Sequence, residues 1–89
     1  MRVLITGNRG FIGKEVESKF ISAGFNTVGY DIADDFDILN AEQLTECAVG
    51  CNVIVHLAAI EGMAQSKVLE TNLLGTWNVL CSAKEANIE

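Results

Sequence analysis

Hydrophobic and polar positions along the chain switch repeatedly between a strand-like and a helical spacing. Val3-Leu4-Ile5 is a short, β-branched-rich run stopped by Thr6-Gly7, as expected of a strand buried on both faces. From Phe11 to Ala23 the apolar residues Phe11, Ile12, Val16, Phe20, Ile21 and Ala23 recur at helical spacing, with Lys14, Glu15, Glu17 and Lys19 between them. Gly24 stands where a glycine commonly ends a helix. Asn26 to Asp31 reads as a second strand. The stretch Ile32 to Leu39 is acidic and too short for a strand–helix–strand crossover. Asn40 then reads as an N-cap with Gln43 as its capping-box partner, opening a helix from about Ala41 to Val49 that stops at Gly50. Val53 to Leu57 is another buried strand. After Ile60-Glu61-Gly62 comes the longest helical pattern, roughly Ala64 to Ala86, with Val68, Leu69, Leu73, Val79, Leu80, Ala83 and Ala86 as its apolar positions. Strands alternating with helices predict an α/β layer structure: a small parallel sheet of about three strands plus a stub, with helices on both faces. Right-handed crossovers fix the sense of each connection.

Composition narrows the function more than the fold. Nearly half of the 89 residues are apolar (49%) and 20% are charged, which fits one packed domain over 1–89 and excludes a disordered tail. Twelve acids against six bases give a net charge of −6, with no Lys/Arg cluster, so neither nucleic acid nor an anionic membrane is expected as a partner. No apolar run approaches the roughly 20 residues that span a bilayer. The first residues are broken by Gly7 too soon for a secretory signal. Cys47, Cys51 and Cys81 are an odd set at no zinc-ligand spacing, and His56 is the single histidine. No metal site is expected; reduced thiols in a cytoplasmic protein are.

The chemistry concentrates in Thr6-Gly7-Asn8-Arg9-Gly10-Phe11-Ile12-Gly13, between the first strand and the first helix. One glycine makes the sharp turn, another lets backbone approach a diphosphate, and a third lets helix pack tightly on strand. The free N–H groups and the dipole of the helix N-terminus then favour the phosphates. Asp31, 18 residues after Gly13 at the end of the second strand, stands where a carboxylate accepts hydrogen bonds from ribose hydroxyls.

These residues resemble a known family. Thr6 to Gly13 is similar to the TGxxGFIG signature of extended short-chain dehydrogenases/reductases of the NAD-dependent epimerase/dehydratase type. Asp37-Ile38-Leu39-Asn40 resembles its DLxD motif, His56-Leu57-Ala58-Ala59 its HLAA motif, and Asn72 to Leu80 its NxxGTxNxL helix. Four motifs in order span nearly the whole chain. The resemblance implies a partial Rossmann fold in which the HLAA strand lies beside the first strand, opposite the second. It also implies an NAD site formed by Gly7, Asn8, Arg9, Gly10, Phe11, Ile12, Gly13, Asp31, Ile32, Asp37, Ile38, Leu57, Ala58 and Ala59. Asp31 favours NAD over NADP, because a 2′-phosphate there meets a carboxylate; Arg9 argues the other way.

The family's proton-transferring YxxxK is missing. Tyr30 is the single tyrosine and Asp34, not lysine, stands four residues on, so Tyr30 is read as packing and no residue as catalytic. His56 is read as a strand-end packing residue, and Asn72 as structural. Two functions follow. One is the NAD-binding N-terminal segment of an epimerase/dehydratase-like protein, inactive alone; the other is a stand-alone, non-catalytic nucleotide-binding or assembly module. The unblunted edge of strand 53–57 and a stripe of Leu73, Trp77, Leu80/Cys81 and Lys84 on the 64–86 helix predict a homo-oligomer, with Gly75, Val79, Ser82 and Ala86 turned to the sheet.

Overall fold

The computed structural model describes residues 1–59, 72, 74–86 and 88. Strand β1 (Arg2–Thr6) leads into helix α1 (Phe11–Ser22), strand β2 (Asn26–Tyr30), a single 3-10 turn at Ile32–Asp34, helix α2 (Ala41–Ala48), strand β3 (Val53–His56) and helix α3 (Gly75–Glu85). The expected helix over residues 64–71, with Val68 and Leu69, and the position of Leu73 lie outside the described residues. The further stub of sheet is not found among those described. The acidic stretch after β2 begins with the 3-10 turn, which the Asp31 carboxylate opens by accepting the Ala33 N–H at 2.9 Å.

The three strands are parallel in the order β2-β1-β3. Leu4 aligns with Val28 on one side and Ile54 on the other, and Thr6 with Tyr30 and His56. The chain therefore steps from β1 to β2 in one direction and returns across β1 to β3 in the other; right-handed crossovers put α1 on one face and α2 on the opposite one, where α3 packs beside it. On the two-helix face, Leu4, Tyr30, Ile38, Leu44, Ala48, Cys51 and Val79 form the core, with Val28 and Ile54 against it. Gly75, Val79 and Ser82 are the buried positions of α3, as its stripe of small residues predicts. Thr45 and Ser82 join α2 to α3 through a 2.8 Å hydroxyl pair.

The loop after β2 is held by two side chains. The Tyr30 hydroxyl, deep in the core, donates to the Asp37 carbonyl at 2.7 Å. Burial pushes its pKa far above the ordinary phenol value. Asn40 caps α2 as expected, accepting the Gln43 N–H at 3.1 Å. Gln43 makes no reciprocal capping-box bond. Its amide oxygen accepts the Asp37 N–H at 3.2 Å and its amide nitrogen donates to the Asp35 carbonyl at 3.3 Å. The Asn40 N–H already donates to the Asp37 carbonyl at 2.9 Å, which leaves the Gln43 side chain to serve the adjoining loop.

Candidate functional site

Thr6, buried at the end of β1, ties the strand ends together. Its hydroxyl oxygen accepts N–H bonds from Leu57 (3.0 Å) and Ala58 (3.1 Å), so its own proton goes to Nδ1 of His56 at 2.6 Å. His56 is thereby the tautomer protonated on Nε2, which donates to Thr76 Oγ1 at 3.2 Å; Thr76 passes the chain on to the Asn72 carbonyl at 2.7 Å. Burial lowers the His56 pKa below the usual imidazole value. The described elements packed against it are β1 and α3. Their titratable groups are Arg2, at the far end of β1, and Cys81, Lys84 and Glu85, more than one turn along α3 from Thr76. His56 thus links the end of β1 to α3.

A pH dependence follows. Burial makes the folded chain protonate His56 at lower pH than the unfolded chain, which protonates it near pH 6.5. Its contribution to stability is complete above that value and is lost as pH falls below it. The urea midpoint is expected to drop between pH 7.5 and 5.5, because the unfolded chain takes up the proton before the folded one. In His56→Gln most of that slope disappears. A wild-type midpoint constant across this range refutes the assignment.

After Thr6 the chain turns through Gly7 (φ +74°) and Gly10, whose N–H donates to the Gly7 carbonyl at 3.1 Å. Gly7 is required twice over. Its backbone is left-handed, and a Cβ would stand 2.8 Å from the Ala58 nitrogen and 2.9 Å from the Leu57 carbonyl carbon. At Gly13 a Cβ would collide with the Gly7 carbonyl oxygen, so α1 lies directly on the turn. At Gly10 a Cβ would meet the Gly7 oxygen alone, at 3.3 Å. Gly10 is the N-cap of α1 and no side chain caps the helix there. The first N–H groups of α1, from Phe11 to Gly13, have no acceptor within the helix and head it unblocked.

This turn forms one wall of a groove of about 550 Å³. Ten of the fourteen residues expected in the site line it: Gly7, Arg9, Gly10, Asp31, Ile32, Asp37, Ile38, Leu57, Ala58 and Ala59. Four do not. Gly13 is buried beneath the turn, and the Phe11 and Ile12 side chains stand out in solvent at 94% and 64% exposure. Asn8 is turned to the rear, where its amide nitrogen lies 3.3 Å from both Glu17 carboxylate oxygens in the space that Gly29 leaves open. Tyr30, Ala33, Phe36 and Leu39 complete the lining. Of these, Phe36 and Leu39 carried a signal, as apolar residues spaced within an acidic run; Tyr30 and Ala33 carried none.

Several polar groups of the groove are already engaged. Asp31 accepts the Arg9 N–H on Oδ2 and the Ala33 N–H on Oδ1, both at 2.9 Å, and each oxygen keeps a further lone pair. Asp37 Oδ1 accepts the Leu39 N–H at 2.9 Å. Ile38 is a core residue under Gly75, and its carbonyl accepts from the Asn78 amide at 3.1 Å. The Arg9 guanidinium pairs with Asp34 at 2.9 Å. Among the described residues no group of three or more His, Cys, Asp or Glu side chains is placed to hold a metal, and no helix is long and apolar enough to cross a membrane.

The fold has counterparts in known proteins. The chain is 30% identical to a probable UDP-glucuronate 4-epimerase of Rhizobium meliloti, over 94% of its own length and 34% of that protein. It is 28% identical to a Stigmatella aurantiaca ketoreductase, with 100% and 31% covered. It spans about a third of the length of these curated relatives. Among solved structures, the dTDP-glucose 4,6-dehydratase of Streptomyces venezuelae, determined with NAD and TYD bound, superposes with a TM-score of 0.86 at 26% identity, over 99% of this chain and 37% of that one. An Agrobacterium tumefaciens short-chain dehydrogenase/reductase superfamily protein with bound NAD reaches 0.88 at 21% identity, over 100% and 30%, and confirms the Rossmann-like fold. The family model for NAD dependent epimerases and dehydratases matches residues 3–89, and by that match across almost its whole length the chain belongs to the NAD dependent epimerase/dehydratase family.

Proposed function

We propose that this chain binds NAD, as the cofactor-binding N-terminal segment of an epimerase/dehydratase-like protein. The observation that carries the reading is the single groove that brings together the glycine turn, the Asp31 carboxylate and the Leu57–Ala59 segment. The N–H groups heading α1 suit the diphosphate, and the cradle at Gly10 is one that a side chain would fill. Asp31 suits the adenosine ribose hydroxyls. The apolar wall at Ile32, Phe36 and Leu39 suits the adenine, and Leu57 to Ala59 the nicotinamide ribose side. The cofactor itself would carry hydride; the residues described here bind and orient it.

The 89-residue chain holds no YxxxK, and its tyrosine and histidine are both committed to structure. By itself it is therefore expected to bind NAD without catalysing hydride transfer or epimerisation. Calorimetric titration with NAD tests the binding, and NADH turnover with keto and sugar-nucleotide substrates tests the inactivity. Absence of any heat of binding at millimolar NAD overturns the reading.

We further propose that the chain self-associates. Trp77 (62% exposed), Leu80 and Leu74 on α3 present large apolar side chains to solvent, and β3 pairs, among the described residues, with β1 alone. Sedimentation should show a dimer or larger species at micromolar concentration, and Trp77→Glu should shift it to monomer. A monomeric wild type overturns this. Three free thiols, two of them with pKa values raised by burial, suit a reducing cytoplasmic compartment.

A further inference from the structure

Arg9 is the one base among the described residues that line the groove, and it is doubly held by acids on the far side of the turn. Its backbone N–H donates to Asp31 Oδ2 at 2.9 Å. Its guanidinium Nη1 donates to both oxygens of Asp34, at 2.9 and 3.3 Å. Asp34 is not itself part of the groove wall. It ends the 3-10 turn that Asp31 starts, and that turn carries it back over the glycine loop to Arg9. Asp31 and Asp37 line the same groove, and Asp35 follows next in the chain.

A free arginine at this place would hold an anionic group on the adenosine ribose, such as a 2′-phosphate, which carries nearly two negative charges. We propose that Asp34 is a specificity-determining residue: by occupying Arg9 it withdraws from a 2′-phosphate the one cation of the described groove lining, and so selects the nucleotide whose ribose carries free hydroxyls. The inference rests on the nucleotide-binding reading of the groove and extends it to a residue outside the groove. The mechanism is competition. Arg9 and Asp34 are 54% and 43% exposed, so the pair is screened and weak on its own. A 2′-phosphate can detach Arg9, but it then leaves the Asp34 carboxylate unpaired beside a new dianion. Removing Asp34 abolishes both penalties at once, while the ribose hydroxyls still meet Asp31.

The test is a set of calorimetric titrations of the wild type, Asp34→Asn and the double variant Arg9→Ala/Asp34→Asn, each with NAD and with NADP. Circular dichroism and Tm verify that the exposed substitution leaves the fold intact. In Asp34→Asn, NAD affinity is expected to stay within threefold while NADP binds about tenfold tighter, the size of one charge-assisted hydrogen bond. The NADP gain should vanish in the double variant. An NADP-to-NAD ratio unchanged in Asp34→Asn overturns the proposal while leaving the nucleotide site standing. So does a gain that survives loss of Arg9. A wild type that binds neither nucleotide overturns the site reading itself.

Discussion

Gly13→Val is expected to unfold the protein or leave it without a cooperative transition. The cause is not backbone conformation but space. A Cβ at Gly13 would overlap the Gly7 carbonyl oxygen and stand 2.8 Å from both the Gly7 carbonyl carbon and the Asn8 Cα. All three atoms are backbone, and the Gly7 oxygen is fixed by the Gly10 N–H. No rotamer can relieve the overlap. The helix must lift from the turn, uncovering the sheet face formed by Val3 and Ile5, which are now 1% and 0% exposed. Overpacking of this kind costs on the order of 3 kcal/mol or more once the added methyls are counted. A domain of this size has only about 4–13 kcal/mol to lose. A fall in Tm of roughly 15 °C or more, or loss of the transition altogether, should be seen by calorimetry or far-UV circular dichroism. A Tm within a few degrees of the parent contradicts the packing account.

Gly10→Val, three residues earlier, should do the opposite: leave the fold intact and remove nucleotide binding. Gly10 has φ −76° and ψ 174°, an extended conformation that valine favours. Its Cβ would meet nothing closer than the Gly7 oxygen at 3.3 Å, a contact a few tenths of an ångström of adjustment relieves. The new methyl groups would stand at the open N-terminus of α1, on the groove wall, where the diphosphate must approach the N–H groups. NAD affinity is expected to fall by about a hundredfold or more, as two or more charge-assisted bonds are lost, with Tm within a few degrees of the parent. Unaltered affinity in a folded Gly10→Val chain refutes the phosphate-turn reading. The two variants together separate a glycine needed by the fold from one needed by the ligand, within a single turn of chain.

Local pattern was enough for most elements because their causes are local. The β-branched run at Val3–Ile5, the helical spacing from Phe11 and the Asn40 cap each act within one element, and each lies where the spacing puts it. The boundaries move by a residue, as at Val53–His56, where strand pairing ends before Leu57. The groove was legible for a similar reason. Glycines at a strand–helix junction and an acid at the next strand's end carry their chemistry in their spacing.

What local spacing left open was every relation between residues far apart in the chain. Periodicity allowed the third strand on either side of the sheet; resemblance to a family pointed to β2-β1-β3, and pairing along both edges of β1 sets it. The roles of the glycines depend on the same remote approaches. Gly7 is needed as much for Leu57 and Ala58, some fifty residues away, as for its own turn. Asn8 faces Glu17 instead of the groove because Gly29 leaves room behind it, and Arg9 is paired with Asp34 because a short turn carries that acid back over the loop. Gln43 completes the loop at Asp35 and Asp37 rather than its own helix. The sequence by itself determined the elements and the residue types at their ends, which follow from forces acting over one helical turn or one strand. The tertiary structure alone decided which of those ends meet, because packing and hydrogen bonding select among partners that are close in space and distant in sequence.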